Sequence, residues 1–277
     1  MIVERENAGC DANSNFLTQA SLATQLSQES QYICFPPPEI SRFSKEAVAP
    51  RTDIDLWLYR YLTNSPGVLD QINKIKTLPH DVQLALARLV IMLLSGEESA
   101  VHVFYREGHR IDQASTLAGD RIFYRIAHEE EQHEKLLKFL HMHLPEPDDF
   151  NRLRAKTRKF FIRLGGSEPA TQFARIASLD ACVCKIMSSI LNKNSKVAKV
   201  ELLERIAKKI RHDEAGHVKV SRKYIADLGV SDREFCEVDT HVRSNIISLF
   251  EYAGSSFEVL GVDPDKLFKK ILRGRDL

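Results

Sequence analysis

The word His128-Glu129-Glu130-Glu131-Gln132-His133 returns later in the chain as His212-Asp213-Glu214-Ala215-Gly216-His217. Both copies contain Glu-x-x-His, which on a helix sets a carboxylate and an imidazole one turn apart on the same face. Each copy follows an acid placed inside an apolar, helix-patterned stretch. Glu97 lies 33 positions before Glu130 (130 − 97), and Asp180 lies 34 before Glu214 (214 − 180). At about 1.5 Å of rise per residue, about 33 residues make one helix, a turn, and a second helix returning to the starting height. The chain is thereby constrained to fold as two helical hairpins, each carrying its acid and its Glu-x-x-His at one level.

Packed antiparallel, two such hairpins bring four carboxylates and two imidazoles together at mid-bundle, the ligand count of a two-metal carboxylate site. The candidate ligands are Glu97, Glu130, His133, Asp180, Glu214 and His217. Asp180 is the only acid between Glu168 and Glu201 and is embedded in the apolar run from Phe173 to Met187. A buried carboxylate is unfavourable unless it is paired or binds metal. The alternative is an exposed Asp180 beside Arg175 or Lys185. On the first helix Glu97 continues the ladder of Leu86, Leu89 or Val90, Leu93, Ala100 and Phe104. Glu98 follows Ile91 and Leu94 and precedes Val101 and Tyr105, so the pattern favours Glu97 and leaves Glu98 open.

No strand pattern interrupts these helical periods, and the expected class is all-α. Residues 1–50, rich in Ser, Gln and Asn and containing Pro36-Pro37-Pro38, read as a flexible arm, and 51–277 as a single helical domain. Two short helices are expected between Asp53 and Lys76. Long helices are expected from Pro79 to about Gly108, from about Asp112 to Met142, from about Pro169 to Leu191, and from the turn Asn192–Ser195 on to Leu228. An amphipathic helix should span Asp148 to Leu164. Ser231 should cap another helix with Phe235, Val242, Ile246, Leu249 and Phe257 on one face, and a short helix should run from Pro264 to Leu272.

The net charge of +1 makes no global case for a nucleic acid or an acidic partner. The five cysteines are odd in number and lack Cys-x-x-Cys spacing, which suits reduced thiols and a cytoplasmic location. Cys184, one turn beyond Asp180, is expected to pack beside the site rather than join it, because hard oxygen donors dominate there. The longest apolar stretch, Leu84 to Leu94, is short and contains Arg88, so it reads as a core helix and not a membrane span. The first residues lack the pattern of a secretory signal.

At these residues the chain resembles the ferritin-like superfamily of non-haem di-iron carboxylate oxidases and oxygenases, over roughly Pro79 to Leu228. Gly96-Glu97-Glu98-Ser99-Ala100 also looks like the first-helix ligand region of rubrerythrins, which adds weight to Glu97. The resemblance implies a ferritin-like four-helix bundle with additional flanking helices. It implies two iron ions held by Glu97, Glu130, His133, Asp180, Glu214 and His217, with a manganese–iron pair sharing the same ligands. It further implies O2-dependent oxidation of a small organic substrate (hydroxylation, N-oxygenation, desaturation or oxidative cleavage), fed by an external electron donor, and is compatible with a homodimer. One departure is Asp180, where most members carry Glu.

Asp213, directly before Glu214, matches a family habit of an acid that orients a ligating histidine from behind. Glu129 stands in the corresponding place and is expected to be a solvated acid. His128 and His212 should face away. An apolar substrate wall is expected from Leu93, Val101, Phe104, Phe123, Phe173 and Val183 among others, and Tyr105 or Tyr124 could serve as a redox or hydrogen-bonding group. Two other functions fit the same ligands. One branch of the superfamily hydroxylates a tRNA base, and Arg152, Lys156, Lys159 and Arg163 form a basic stripe that a solvated helix face explains equally well. Iron or peroxide handling, as in bacterioferritins or rubrerythrins, fits less well with the chain length and the missing Cys-x-x-Cys pairs.

Overall fold

The structure, a computed structural model, describes residues 57–58, 60–62, 67–114, 121–166, 168–253 and 255–274. The arm expected over 1–50 lies outside the described residues. Among the described residues all regular structure is helical, as the sequence periods require. The principal helices are α1 (Val68–Lys76), α2 (His80–Ala114), α3 (Ile122–His141), α4 (Phe150–Leu164), α5 (Pro169–Ile190), α6 (Glu201–Asp227) and α7 (Asp232–Glu251). The short α8 (Ser256–Val259) and α9 (Pro264–Leu272) follow. None of these is long and apolar enough to cross a membrane.

Side chains at the ends fix where helices begin. The Glu168 carboxylate accepts hydrogen bonds from the backbone N–H groups of Ala170 and Thr171, with Pro169 at the first helical position, where its missing N–H is no loss. Ser231 and Glu234 form a reciprocal capping box on α7, and Asp263 with Pro264 starts α9.

Three boundaries differ from the sequence expectation. Helix α2 does not stop near Gly108 but runs to Ala114. Gly108 is a point of close approach: a Cβ there would meet the Tyr124 ring at 2.9 Å. Asp112 accordingly belongs to α2, where it accepts a hydrogen bond from the Tyr124 hydroxyl, and α3 starts at Ile122. Between α5 and α6 a 3-10 turn (Val197–Lys199) follows the Asn192–Ser195 turn. Phe257, expected on the long face of α7, sits in α8 after α7 has ended at Glu251.

The most extensive packing lies within two hairpins, α2 with α3 and α5 with α6, and α3 also lies against α6. Contact between α2 and α5 is sparse; α4 packs on α2 and α7 packs on α5. The main apolar core runs through all of these helices. A separate aromatic cluster of Phe104, Phe123 and Phe173 fills the other end, with Tyr224 against it.

Candidate metal centre

Four helices place one face each toward the same point. Glu97 comes from α2, Glu130 and His133 from α3, Asp180 from α5, and Glu214 and His217 from α6. All six side chains are buried, none more than 6% exposed. Glu97 rather than Glu98 turns inward: its carboxylate lies 3.4 Å from His133 Nδ1, whereas Glu98 is partly exposed and lies 3.8 Å from Lys138. Asp180 is buried and not an exposed acid, and Arg175 donates to the Leu164 and Gly165 carbonyls. Lys185 is itself buried and donates to the Lys270 carbonyl at 2.9 Å.

The two imidazoles are held in matching ways. His133 Nε2 donates to Asp213 Oδ2 at 2.9 Å, and His217 Nε2 donates to Glu129 Oε2 at 2.9 Å. With the hydrogen on Nε2, each ring turns Nδ1 toward the acids. His133 Nδ1 lies 3.2 Å from Glu130 and 3.7 Å from Glu214. His217 Nδ1 lies 3.1 Å from Glu130 and 3.6 Å from Glu214. Glu129 is thus not the solvated acid the sequence suggested. It does for His217 what Asp213 does for His133. The available signal was its position directly before a ligand glutamate, the same as that of Asp213.

These groups fall into two sets of potential metal donors, Glu97, Glu130, His133 and Glu214 in one and Asp180, Glu214 and His217 in the other. Within each set the donor atoms lie within 4.8 Å of one another. Glu214 is common to both sets, and Glu130 reaches toward both imidazoles. The arrangement also leaves buried polar atoms without a hydrogen-bond partner: Asp180 Oδ2, Glu214 Oε2 and His217 Nδ1. Such orphans are unfavourable in a protein interior; among the described residues these three belong to the cluster, and others lie outside it at Gln71, Ser221, Arg222 and Asp239. A metal pair between the acids would satisfy the three in the cluster, so the residues present fit the group.

Without metal the centre is electrostatically strained. Burial pushes the carboxyls of Glu97, Asp180 and Glu214 up, and neighbouring acids add to it: Glu130 on Glu97, Glu214 and Glu130 on Asp180, and Glu130 on Glu214. Burial alone would raise Glu130 too, but His217 and His133 outweigh it and hold Glu130 well below the usual range. Burial disfavours both imidazolium ions, yet the surrounding acids win and keep His133 and His217 protonated well above their ordinary range. Asp213 is only half buried, and its bonds to His133 and Lys209 overcome that desolvation and bring it down to about 2. Metal-free, the cluster therefore holds its excess negative charge in check with protons.

Other expected residues fall elsewhere. Leu93 and Val183 do line a cavity beside the acids. Phe104, Phe123 and Phe173 instead stack in the aromatic cluster, where Phe104 approaches His217 with ring centres 5.9 Å apart. Tyr105 donates to Glu131 at 3.1 Å, and Tyr124 bonds Asp112, so neither faces the centre. Tyr224 was not anticipated. Its hydroxyl donates to the buried Glu107 and accepts from Arg110 at 2.6 Å. Cys184 Sγ contacts the Arg211 carbonyl at 3.7 Å, and burial pushes its thiol up to about 12, so it packs beside the centre as expected. His128 and His212 are exposed. Comparison with protein-family models, curated proteins and solved structures returns no match for this chain.

Proposed function

We propose that this chain is a ferritin-like, non-haem di-iron oxidase or oxygenase that uses O2 to oxidise a small organic substrate by hydroxylation, N-oxygenation, desaturation or oxidative cleavage. The observation that carries the reading is the donor set: four carboxylates and two imidazoles, all buried, on four helices. Hard oxygen donors with imidazole suit iron or manganese, whereas a tetrahedral zinc site takes fewer oxygens. Four carboxylate charges also balance two dications, which removes the need for the protons that hold the metal-free cluster. When bound, a pair of Fe(II) ions would supply two electrons for the reduction of O2.

The remaining work falls to the chain. Glu97 and His133 would hold one ion, Asp180 and His217 the other, with Glu130 and Glu214 placed between them. Asp213 and Glu129 fix the ring orientation and keep each Nδ1 free of hydrogen once metal is present. Asp180 has a shorter arm than the usual Glu and leaves more room on its side. The apolar wall beside the acids restricts the space open to water there to a small cavity. Reduction between turnovers requires an external electron donor.

The basic stripe adds nothing to the tRNA reading: Arg152 and Lys156 lie over the Tyr252 ring, with Lys156 Nζ 3.5 Å from its centre, and stay exposed as on any solvated helix face. Anaerobic titration with Fe(II) tests the main reading and is expected to reach an end point at two ions per chain. Negligible uptake would remove it and its di-iron alternatives together.

A further inference from the structure

One side of the cluster faces neither hairpin partner. A cavity of about 40 Å³ lies against Glu97, Glu130, Asp180 and Glu214, between α2 and α5, with α4 and α7 covering it. A single water needs roughly 10–15 Å³ of such space. The cavity therefore takes O2 or a few waters, and an aromatic ring does not fit. Apart from the four acids, every lining side chain is apolar, so nothing else there hydrogen-bonds a ligand.

The floor is buried, and the partly exposed rim is Gly96, Ala100, Leu179, Val183 and Phe161. Phe161 is the bulkiest of these and the only one on α4, a helix that contributes nothing to the metal centre. Its ring tip rests on Gly96, where a Cβ would come within 3.0 Å of Phe161 Cζ. A glycine inside a helix of 35 residues is destabilising by about 1 kcal/mol relative to alanine. Here the missing Cβ lets the ring lie down over the residue directly before Glu97. At the C-terminal end of α4, Gly165 and Gly166 separate it from α5.

We propose that Phe161 is the gate that sets the size of what reaches the metal centre. In the closed position the ring leaves room for O2-sized molecules only; swung out, it admits one flat, apolar molecule of about single-ring size. The substrate class follows from the wall. Its body is aromatic or short alkyl, and its one polar group binds the metals, because the cavity offers no other polar partner. This inference rests on the metal-centre reading above.

The test uses the full chain loaded with Co(II), whose visible bands report ligand exchange, and two probes, azide and benzoate. Azide should bind wild type and Phe161→Ala alike, within about twofold. Benzoate should bind Phe161→Ala at least about tenfold more tightly than wild type, a difference of about 1.4 kcal/mol. Phe161→Leu, which keeps an apolar contact with α2, should fall between them and serves if the alanine variant does not fold. Equal benzoate affinity in wild type and variants, with azide bound by all, overturns the gate and leaves the metal centre standing. Failure of wild type to take up Co(II) overturns the metal centre, and the gate falls with it.

Discussion

Asp180→Asn should raise the stability of the metal-free protein and lower that of the iron-loaded one, so that the two variants exchange order when metal is added. Asp180 is buried with an orphaned Oδ2, and its donor atoms share a 4.8 Å circle with those of Glu214 and His217. Two carboxylate charges 4.8 Å apart, the outer limit of that circle, repel by about 3.5 kcal/mol at an effective dielectric near 20. Protonation relieves much of it, because both carboxyls are raised in the metal-free protein. Asparagine keeps the shape and removes the charge, and the gain should be roughly 1–3 kcal/mol. In a domain of this size that corresponds to a rise of about 2–10 °C in Tm. With metal the sign reverses. Free Fe(II) at about one hundred times its Kd stabilises wild type by about 2.7 kcal/mol, and a neutral amide in place of a ligand charge forfeits most of that. Thermal melts with a chelator present, and again under anaerobic Fe(II), read both arms. A lower Tm for Asp180→Asn in chelator, or an iron-induced rise equal to that of wild type, would refute the reasoning.

Glu129→Gln and Asp213→Asn should each weaken Fe(II) binding about 10–100-fold, since each releases a ligating imidazole from its fixed orientation; competition with a chromophoric chelator measures this, and unchanged affinity would deny either acid its role. The Tm of the metal-free protein should fall as pH rises from the carboxylate range through and above the ordinary value of histidine, 6.5. The sign follows from His133, His217, Glu97, Asp180 and Glu214, all raised in the folded state, whose contribution is full at low pH and lost as pH climbs through the raised values. Glu130 and Asp213 are lowered and oppose this trend only at the acid end. Metal loading should flatten the profile, and a metal-free Tm that rises over the same window would contradict the charge assignment. Cys184→Ser should leave Fe(II) affinity within about twofold, or about 0.4 kcal/mol, because the thiol stays protonated; a larger loss would make Cys184 a ligand.

The centre was legible in the sequence because helical rise converts spacing into height: acid and Glu-x-x-His separated by one hairpin must meet. Helix identities followed from apolar periods, and several starts from local capping chemistry, as at Glu168, Ser231 and Asp263. What the pattern could not convey was which neighbour a buried face meets. Phe104, Phe123 and Phe173 carry the same period as Leu93 and Val183, yet pack with Tyr224 at the far end and not beside the acids. Gly108 read as a helix stop because a glycine that receives an aromatic ring looks the same in sequence as one that ends a helix. Phe161 over Gly96 joins residues on different helices, and no local rule pairs them.

The repeat extends further back than the ligands alone. Arg125-Ile126 and Lys209-Ile210 occupy equal places before the two Glu-x-x-His words. Lys209 lies 2.6 Å from Asp213, and Arg125 lies 3.9 Å from Glu129, each a turn away on its own helix. The acids then reach across: Asp213 on α6 holds His133 on α3, and Glu129 on α3 holds His217 on α6. Each histidine meets acids of its own hairpin through Nδ1, but its Nε2 bond comes from the other hairpin. The full set of contacts that orients each ring is therefore complete only when the two hairpins are packed. That coupling explains why a site with four mutually repelling acids does not simply push its helices apart: the same residues that would bind the metals are tied across the interface by two charged hydrogen bonds, each fastened to the helix opposite.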